Sequence, residues 1–120
     1  MKKHTIYIAG PITVDKEHYQ EHFRKAEEHL KDLGWEVINP ALEEYDDCFY
    51  KETGEKDKWT PEAWLFYIKR DMDLVSECEA IYLLEGWEQS PGANVEYITA
   101  KKFNLAIYFE NENSIIPAKE

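Results

Sequence analysis

The sequence predicts an α/β fold in three layers, with a parallel sheet of four to five strands between helices. Four short apolar runs are continuous rather than alternating, as expected of strands that are covered on both faces. Segments with helical periodicity separate these runs, and such alternation is typical of a parallel sheet joined by right-handed crossovers. We therefore expect a flavodoxin-like or Rossmann-like sheet with the strand order 2-1-3-4.

The predicted strands are the apolar, β-branched runs at residues 5–9, 35–38, 80–84 and 105–109. The first helix is predicted over residues 16–33, because apolar side chains recur there at steps of four and three: Tyr19, Phe23, Ala26, Leu30 and Leu33. Gly34 follows directly and suits the left-handed position that ends many helices.

Two further helices are predicted from their first residues. Thr60 is a candidate N-cap before Pro61, and this helix runs to about residue 78. The third helix follows Ser90-Pro91-Gly92 and runs to about residue 103. Residues 43–58 are charged and rich in tyrosine without a clean period, so we expect a long loop there. Residues 111–120 are expected to form a surface extension.

Composition restricts the class of protein. The 120 residues, 43% of them hydrophobic, suffice for a single domain over residues 1–120. The net charge of −11 disfavours nucleic acid as a partner, because phosphate backbones bind basic surfaces. No stretch approaches the roughly 20 apolar residues of a membrane span, and the N-terminus lacks a signal-peptide pattern. Cys48 and Cys78 lack metal-ligand spacing, so we expect free thiols in a cytoplasmic protein without a metal site.

Parallel sheets of this kind bind ligands at the carboxyl ends of their strands, where the strand order reverses. The loops after the first and third strands are therefore the expected binding loops. Their candidate binding residues are Gly10 and Pro11 in the first loop and Gly86 and Trp87 in the second.

Two carboxylates lie on helix faces that should be buried. At about 100° per residue, Asp71 falls inside the apolar arc of the second helix, whereas Arg70 falls on the opposite side. Glu96 shares its face with Ala93 and Ala100 of the third helix. Burying an ionised carboxylate costs several kcal/mol unless it is paired or hydrogen-bonded. An ion pair, a cap or the helix dipole would explain each one singly, but together they favour a pair that acts on a glycosidic bond.

Tyr7 and the Ser90–Gly92 segment each have two interpretations. Tyr7 is either a core aromatic with a structural hydrogen bond or a donor that orients the carboxylate of Glu96. Ser90 and Gly92 are either ordinary residues of a helix start or part of an anion site made of free N–H groups and a hydroxyl.

In their order and spacing, these segments resemble the nucleoside 2-deoxyribosyltransferase superfamily, including its nucleoside 5′-monophosphate N-glycosidases and small phage-type relatives. The resemblance covers nearly the whole chain. It rests on these segments: Ile6-Tyr7-Ile8-Ala9-Gly10-Pro11, Asn39-Pro40-Ala41, Arg70-Asp71, residues 78–84 and Ser90-x-Gly92-x-x-x-Glu96.

The resemblance implies a role for each candidate residue. Glu96 would be the nucleophile that attacks C1′ of the sugar, Asp71 would assist departure of the base, and Tyr7 would position the nucleophile. Ser90 and Gly92 would hold a 5′-phosphate. The resemblance also implies a homodimer or higher oligomer whose neighbouring copy completes the pocket, and a reaction that uses no cofactor.

We therefore expect an enzyme that cleaves or transfers the N-glycosidic bond of a (2′-deoxy)nucleoside or its 5′-monophosphate. The base would lie against Trp87 or against an aromatic ring from residues 43–59. Two alternatives remain open: a hydrolase of nucleoside 5′-monophosphates and a non-catalytic nucleotide-binding module. An NAD-dependent oxidoreductase is disfavoured, because no Gly-x-Gly-x-x-Gly follows the first strand.

Overall fold

A computed structural model describes residues 4–12, 14–42 and 48–112. Within these residues, four parallel strands form one sheet: β1 (Thr5–Ala9), β2 (Glu36–Ile38), β3 (Ala80–Leu83) and β4 (Ala106–Phe109). Their order is β2-β1-β3-β4, which confirms the predicted α/β class and strand order. Tyr7 in the central strand β1 is paired with Ile38 on one side and Ile81 on the other.

The described connections between the strands contain these helices: α1 (Tyr19–Asp32), α2 (Cys48–Thr53), α3 (Pro61–Ser76) and α4 (Pro91–Lys102). The predicted caps form as expected. The Thr60 hydroxyl accepts the Ala63 N–H at 3.1 Å, and the Ser90 hydroxyl accepts the Ala93 N–H at 3.3 Å. Gly34 ends α1 with a φ of 97°, a left-handed conformation that favours glycine.

Alternate residues of β1 face the two helical layers. Ile6 and Ile8 pack in the core that contains α1, whereas Tyr7 and Ala9 pack in the core that contains residues of α3 and α4. All four side chains are fully buried. Burying a side chain as large as isoleucine contributes about 1.5–3 kcal/mol, so the apolar neighbours hold Tyr7 at a defined position beneath the α3–α4 pair.

The loop predicted over residues 43–58 contains a short helix, which corrects that prediction. Residues 48–53 form α2, and its buried Phe49 packs against Phe66 and Tyr67 with ring centres 5.4 and 6.4 Å away. This helix is too short to show a periodic pattern in the sequence. Its aromatic contacts with α3 stabilise it instead. Residues 43–47 lie outside the described residues, as do Thr13 of the first binding loop and residues 113–120 of the predicted extension.

In the part of the chain that the structure describes, no helix is long and apolar enough to cross a membrane. Cys48 and Cys78 are not joined in a disulfide. Burial raises the pKa of Cys78 to about 11, so this side chain stays protonated at neutral pH. The predicted cytoplasmic location stays a prediction.

Candidate active site

A partly open hollow lies between α3, α4 and the loop after β1. Its volume is about 110 Å³, far above the roughly 15 Å³ that one water molecule requires, so it can admit part of a small organic ligand. Residues from five segments line it: Gly10 and Ile12 after β1, Pro40 after β2, Lys58 and Trp59 before α3, Trp64, Tyr67, Ile68, Arg70 and Asp71 of α3, and Ser90, Gly92, Ala93 and Glu96 around the start of α4.

Tyr7 of β1 contacts Glu96, one of the residues that line this hollow. Its hydroxyl donates a hydrogen bond of 2.7 Å to Oε2 of Glu96, an ordinary length for a bond between two oxygen atoms. Burial raises the pKa of Tyr7 well above its ordinary value, and the charge of Asp71 raises it further. Tyr7 therefore keeps its proton at neutral pH and acts as a hydrogen-bond donor to Glu96.

Asp71 and Glu96 form a buried pair of carboxyls. They expose only 5% and 6% of their surface, although they belong to different helices. Burial raises the pKa of Glu96 well above its ordinary value, and the negative charge of Asp71 adds to this increase. Burial also raises the pKa of Asp71, while the positive charge of Arg70 opposes the increase. Repulsion of this kind favours a state in which one of the two carboxyls is protonated.

Arg70 is in the hollow, which corrects its predicted place on the opposite side of α3. Its Nε and Nη2 atoms donate to Oδ1 of Asp71 at 2.9 and 2.5 Å, and its guanidinium carbon lies 4.9 Å from the centre of the Tyr67 ring. Neighbouring residues of a helix are only about 100° apart, so a long side chain can reach the adjacent face. The buried carboxylate of Asp71 provides the energetic reason for this conformation, because it needs a charged partner.

Two glycines of the hollow lie where a side chain would meet close neighbours. A Cβ atom at Gly92 would lie 3.1 Å from Cδ1 of Ile68, and one at Gly10 would lie 2.8 Å from Cβ of Leu84. Ser90 is buried, and its oxygen already caps α4. A side chain at position 92 would therefore narrow the space between α3 and α4 beside the carboxyl pair.

Gly86 and Trp87 lie at a second hollow, above the ends of β3 and β4, rather than at the hollow that contains Glu96. The indole of Trp87 packs against Tyr97 and Phe109, with ring centres 4.9 and 6.1 Å away. Gly86 has a φ of 92°, and its turn lies against Pro11, which a Cβ atom would approach to 3.4 Å. The structure thus brings Gly10, Ser90 and Gly92 to the hollow of the carboxyl pair, whereas the predicted binding residues Pro11, Gly86 and Trp87 do not line it.

Trp59 is the aromatic side chain that the region before α3 contributes to the hollow. The ammonium of Lys16 lies 4.7 Å from the centre of the indole, and that of Lys58 lies 5.4 Å from it. Lys58 also donates to the hydroxyl of Tyr19 at 2.9 Å. The rim of the hollow therefore combines an aromatic surface with positive charge.

A family model described as a domain of unknown function, DUF4406, matches residues 4–109. The chain belongs to the DUF4406 family. The matched residues include all four described strands and every side chain that lines the Glu96 hollow.

The DUF4406 chain also resembles a solved enzyme structure, that of the CMP N-glycosidase BcmB from Clostridium botulinum. The TM-score is 0.51 at 21% sequence identity, and the likeness covers 92% of this chain and 74% of that one. At this identity, the likeness shows a shared fold. A search among curated proteins finds no matching relative.

Several residues that line the Glu96 hollow were not among the predicted site residues. Trp64 and Tyr67 share the apolar arc of α3 with Asp71, so their position relative to that carboxylate could have identified them. Lys58 and Arg70 could not be identified in this way, because neither shares an apolar helix face with Asp71. A lysine in an irregular segment and an arginine on the polar side of a helical wheel both look like solvated charges.

Proposed function

We propose that this protein hydrolyses the N-glycosidic bond of a nucleoside 5′-monophosphate, with Glu96 as the nucleophile. The hydrogen bond from Tyr7 to Glu96 carries this proposal, because a buried carboxyl oriented by a phenol opens onto a hollow that also contains Asp71. The shared fold of an enzyme that acts on CMP supports the choice of a nucleotide. Both features agree with membership in the nucleoside 2-deoxyribosyltransferase superfamily.

The proposed reaction proceeds by two displacements at C1′. The Glu96 carboxylate attacks C1′ while Asp71 assists the departure of the base, and a covalent glycosyl ester forms. Water then attacks C1′ and releases the sugar phosphate. The hydrogen bond from Tyr7 holds the attacking oxygen in place and spreads its charge. Two inversions retain the configuration at C1′.

The surroundings of the hollow favour a phosphorylated substrate over a free nucleoside. Ser90 and Gly92 line it at the N-terminus of α4, where the helix dipole attracts anions. Lys58 and Arg70 line it as well. These groups counteract locally the net charge of −11, which would otherwise repel a nucleotide.

We also propose that the protein acts as a homodimer, as the superfamily resemblance implies. Trp64 lines the hollow and yet exposes 37% of its surface, and Leu65 beside it exposes 48%. An apolar rim of this kind suits contact with a second copy. Sedimentation equilibrium would show a dimer at micromolar concentration, whereas a monomer at all concentrations would contradict this part of the proposal.

Chromatography of a panel of nucleosides and 5′-monophosphates tests the reaction. We expect free base and a sugar 5-phosphate from a monophosphate in water, and neither product from the Glu96→Ala protein. An intact-mass shift of one sugar phosphate on Glu96 would demonstrate the covalent step.

Three results would contradict the proposal. Base exchange on a nucleoside, only in the presence of an acceptor base, would indicate a transferase. Nucleotide binding without release of base would indicate a non-catalytic module. Equal activity of the wild-type and Glu96→Ala proteins would exclude Glu96 as the nucleophile.

A further inference from the structure

Arg70 is a cation of the hollow that binds one of the two carboxyls directly. Two of its nitrogens bind the same oxygen, Oδ1 of Asp71, at 2.9 and 2.5 Å. Its guanidinium also lies over the ring of Tyr67, and the side chain exposes only 18% of its surface. An arginine held by an ionic and an aromatic contact presents its charge in one place.

Several titratable groups surround this guanidinium. Asp71 comes from the same helix, Tyr7 from β1 and Glu96 from α4, and the Cys48 thiol of α2 is a hydrogen-bond partner of Arg70. Lys58 lines the same hollow, but its ammonium is hydrogen-bonded to the hydroxyl of Tyr19. Arg70 is therefore in direct contact with one carboxyl of the pair, whereas the other carboxyl accepts a hydrogen bond from a neutral phenol.

This arrangement gives the two carboxyls different affinities for a proton. Burial raises the pKa of both, and the positive charge of Arg70 lowers both, with its direct contacts directed to Asp71. Charge-assisted bonds from a guanidinium are about twice as strong as bonds between neutral groups. The ionised form is therefore favoured on Asp71 and the protonated form on Glu96.

Building on the proposed function, we propose that Arg70 is a positioning residue that assigns the charges of the carboxyl pair. In the empty site it keeps Asp71 as the carboxylate and leaves the single proton of the pair on Glu96. The proposed nucleophile thus rests as a neutral acid and becomes charged only when the substrate accepts its proton.

This assignment determines where the proton goes during the reaction. As the C1′–N bond breaks, its electron pair leaves with the base, and the proton moves from Glu96 through Asp71 to that base. The Glu96 carboxylate then forms the bond to C1′, while Asp71 stays ionised. In the second step, the oxygen of water bonds to C1′ and the electron pair of the ester bond returns to Glu96. The proton of that water passes through Asp71 to Glu96, so the pair regains its single proton.

Two substitutions of Arg70 distinguish the effect of its charge from the effect of its shape. Wild-type kcat/KM should follow a bell-shaped pH profile, because the pair must hold one proton rather than two or none. Arg70→Gln removes the positive charge, so both limbs of the bell should move to higher pH by roughly one to three units. Arg70→Lys keeps the charge, so its limbs should stay in place while kcat falls.

Arg24→Gln is the matched control. Arg24 forms ion pairs with Glu21 and Glu28 on the exposed surface of α1. Its exchange removes the same charge far from the hollow and should leave the profile unchanged. Identical profiles for the wild-type and Arg70→Gln proteins, both folded by circular dichroism, would overturn the inference.

A direct titration keeps the inference testable if Arg70→Gln does not fold. Carbon NMR of wild-type protein labelled at its side-chain carboxyls should show Glu96 protonated and Asp71 ionised at pH 7, with the Glu96 signal assigned by its loss in Glu96→Gln. An ionised Glu96 or a protonated Asp71 would overturn the inference. If the wild-type protein releases no base, the proposed function fails, and this titration still decides the charge assignment.

Discussion

Two hollows open at the carboxyl edge of the sheet, and both contain acidic side chains. In the first, Asp71 and Glu96 are nearly buried and meet a phenol and a guanidinium. In the second, the acidic side chains are exposed to solvent: Glu85, Glu88 and Glu112. The difference teaches that burial and convergence, rather than the number of carboxylates, distinguish the candidate active site from a solvated acidic surface.

The aromatic side chains of the two hollows differ as well. Trp87 in the second hollow is packed between Tyr97 and Phe109, so its ring serves the fold. Trp59 and Trp64 in the first hollow line open space. A ligand base can therefore find an aromatic surface in the first hollow, where the carboxyl pair also lies.

The largest expected effect compares one carboxylate from each hollow. Glu96→Gln should reduce kcat for base release by at least about a thousandfold, because an amide cannot attack C1′. Glu88→Gln removes an exposed charge in the second hollow and should change kcat less than about twofold. Steady-state kinetics on the substrate found by the chromatographic screen would measure both. Comparable losses in the two variants would remove the distinction between the hollows.

The next effect compares the hydroxyl of one tyrosine near each hollow, Tyr7 and Tyr97. Tyr7→Phe removes the 2.7 Å bond to Glu96 and should reduce kcat by about 10–100-fold, the range for one hydrogen bond to a charged group. Tyr97→Phe keeps the ring beside Trp87 and should leave kcat unchanged. A Tyr7→Phe protein with wild-type kcat would show that the phenol has only a structural role.

A smaller effect follows from the spacing at Gly92. Gly92→Ala places a methyl group 3.1 Å from Ile68 and should raise KM roughly tenfold, since overpacking costs about 1–3 kcal/mol. Gly34→Ala is the control at the opposite end of the sheet, where the left-handed φ of 97° makes alanine cost about 1–2 kcal/mol of stability. Both quantities should be measured on both variants. Gly92→Ala should raise KM, and Gly34→Ala should lower the free energy of unfolding in urea. A rise in KM for Gly34→Ala would contradict this separation.

The smallest effect is on stability. Because burial raises the pKa of Glu96 in the folded protein, its protonated form stabilises the fold below the ordinary carboxyl pKa. That contribution is lost as the pH rises through the raised pKa. Glu96→Gln carries no charge and should be more stable than the wild-type protein at pH 8, with less gain at pH 5. Thermal denaturation would measure this gain, and Glu88→Gln should show none at either pH.

The strands and three of the helices could be predicted because they follow from local patterns. The strand order could be predicted because their alternation is typical of a flavodoxin-like or Rossmann-like sheet with right-handed crossovers. Each apolar run is long enough to be a strand, and Thr60 and Ser90 mark helix starts by their own chemistry. The convergence of Asp71 and Glu96 could be predicted as well, since both interrupt apolar helix faces beside the same strand. The α2 helix could not, because contacts of Phe49 with α3 stabilise it.

The sequence by itself determined the α/β fold and the acids that belong inside it, because periodicity and burial are properties of each segment. Only the tertiary structure decided which charges meet those acids. Arg70 turns toward Asp71, and the turn at Gly86 leaves Trp87 at another hollow. The physical reason is that a long side chain takes the conformation that its surroundings favour. Here the attraction of the buried Asp71 carboxylate outweighs the solvation that Arg70 would gain on the polar side of α3.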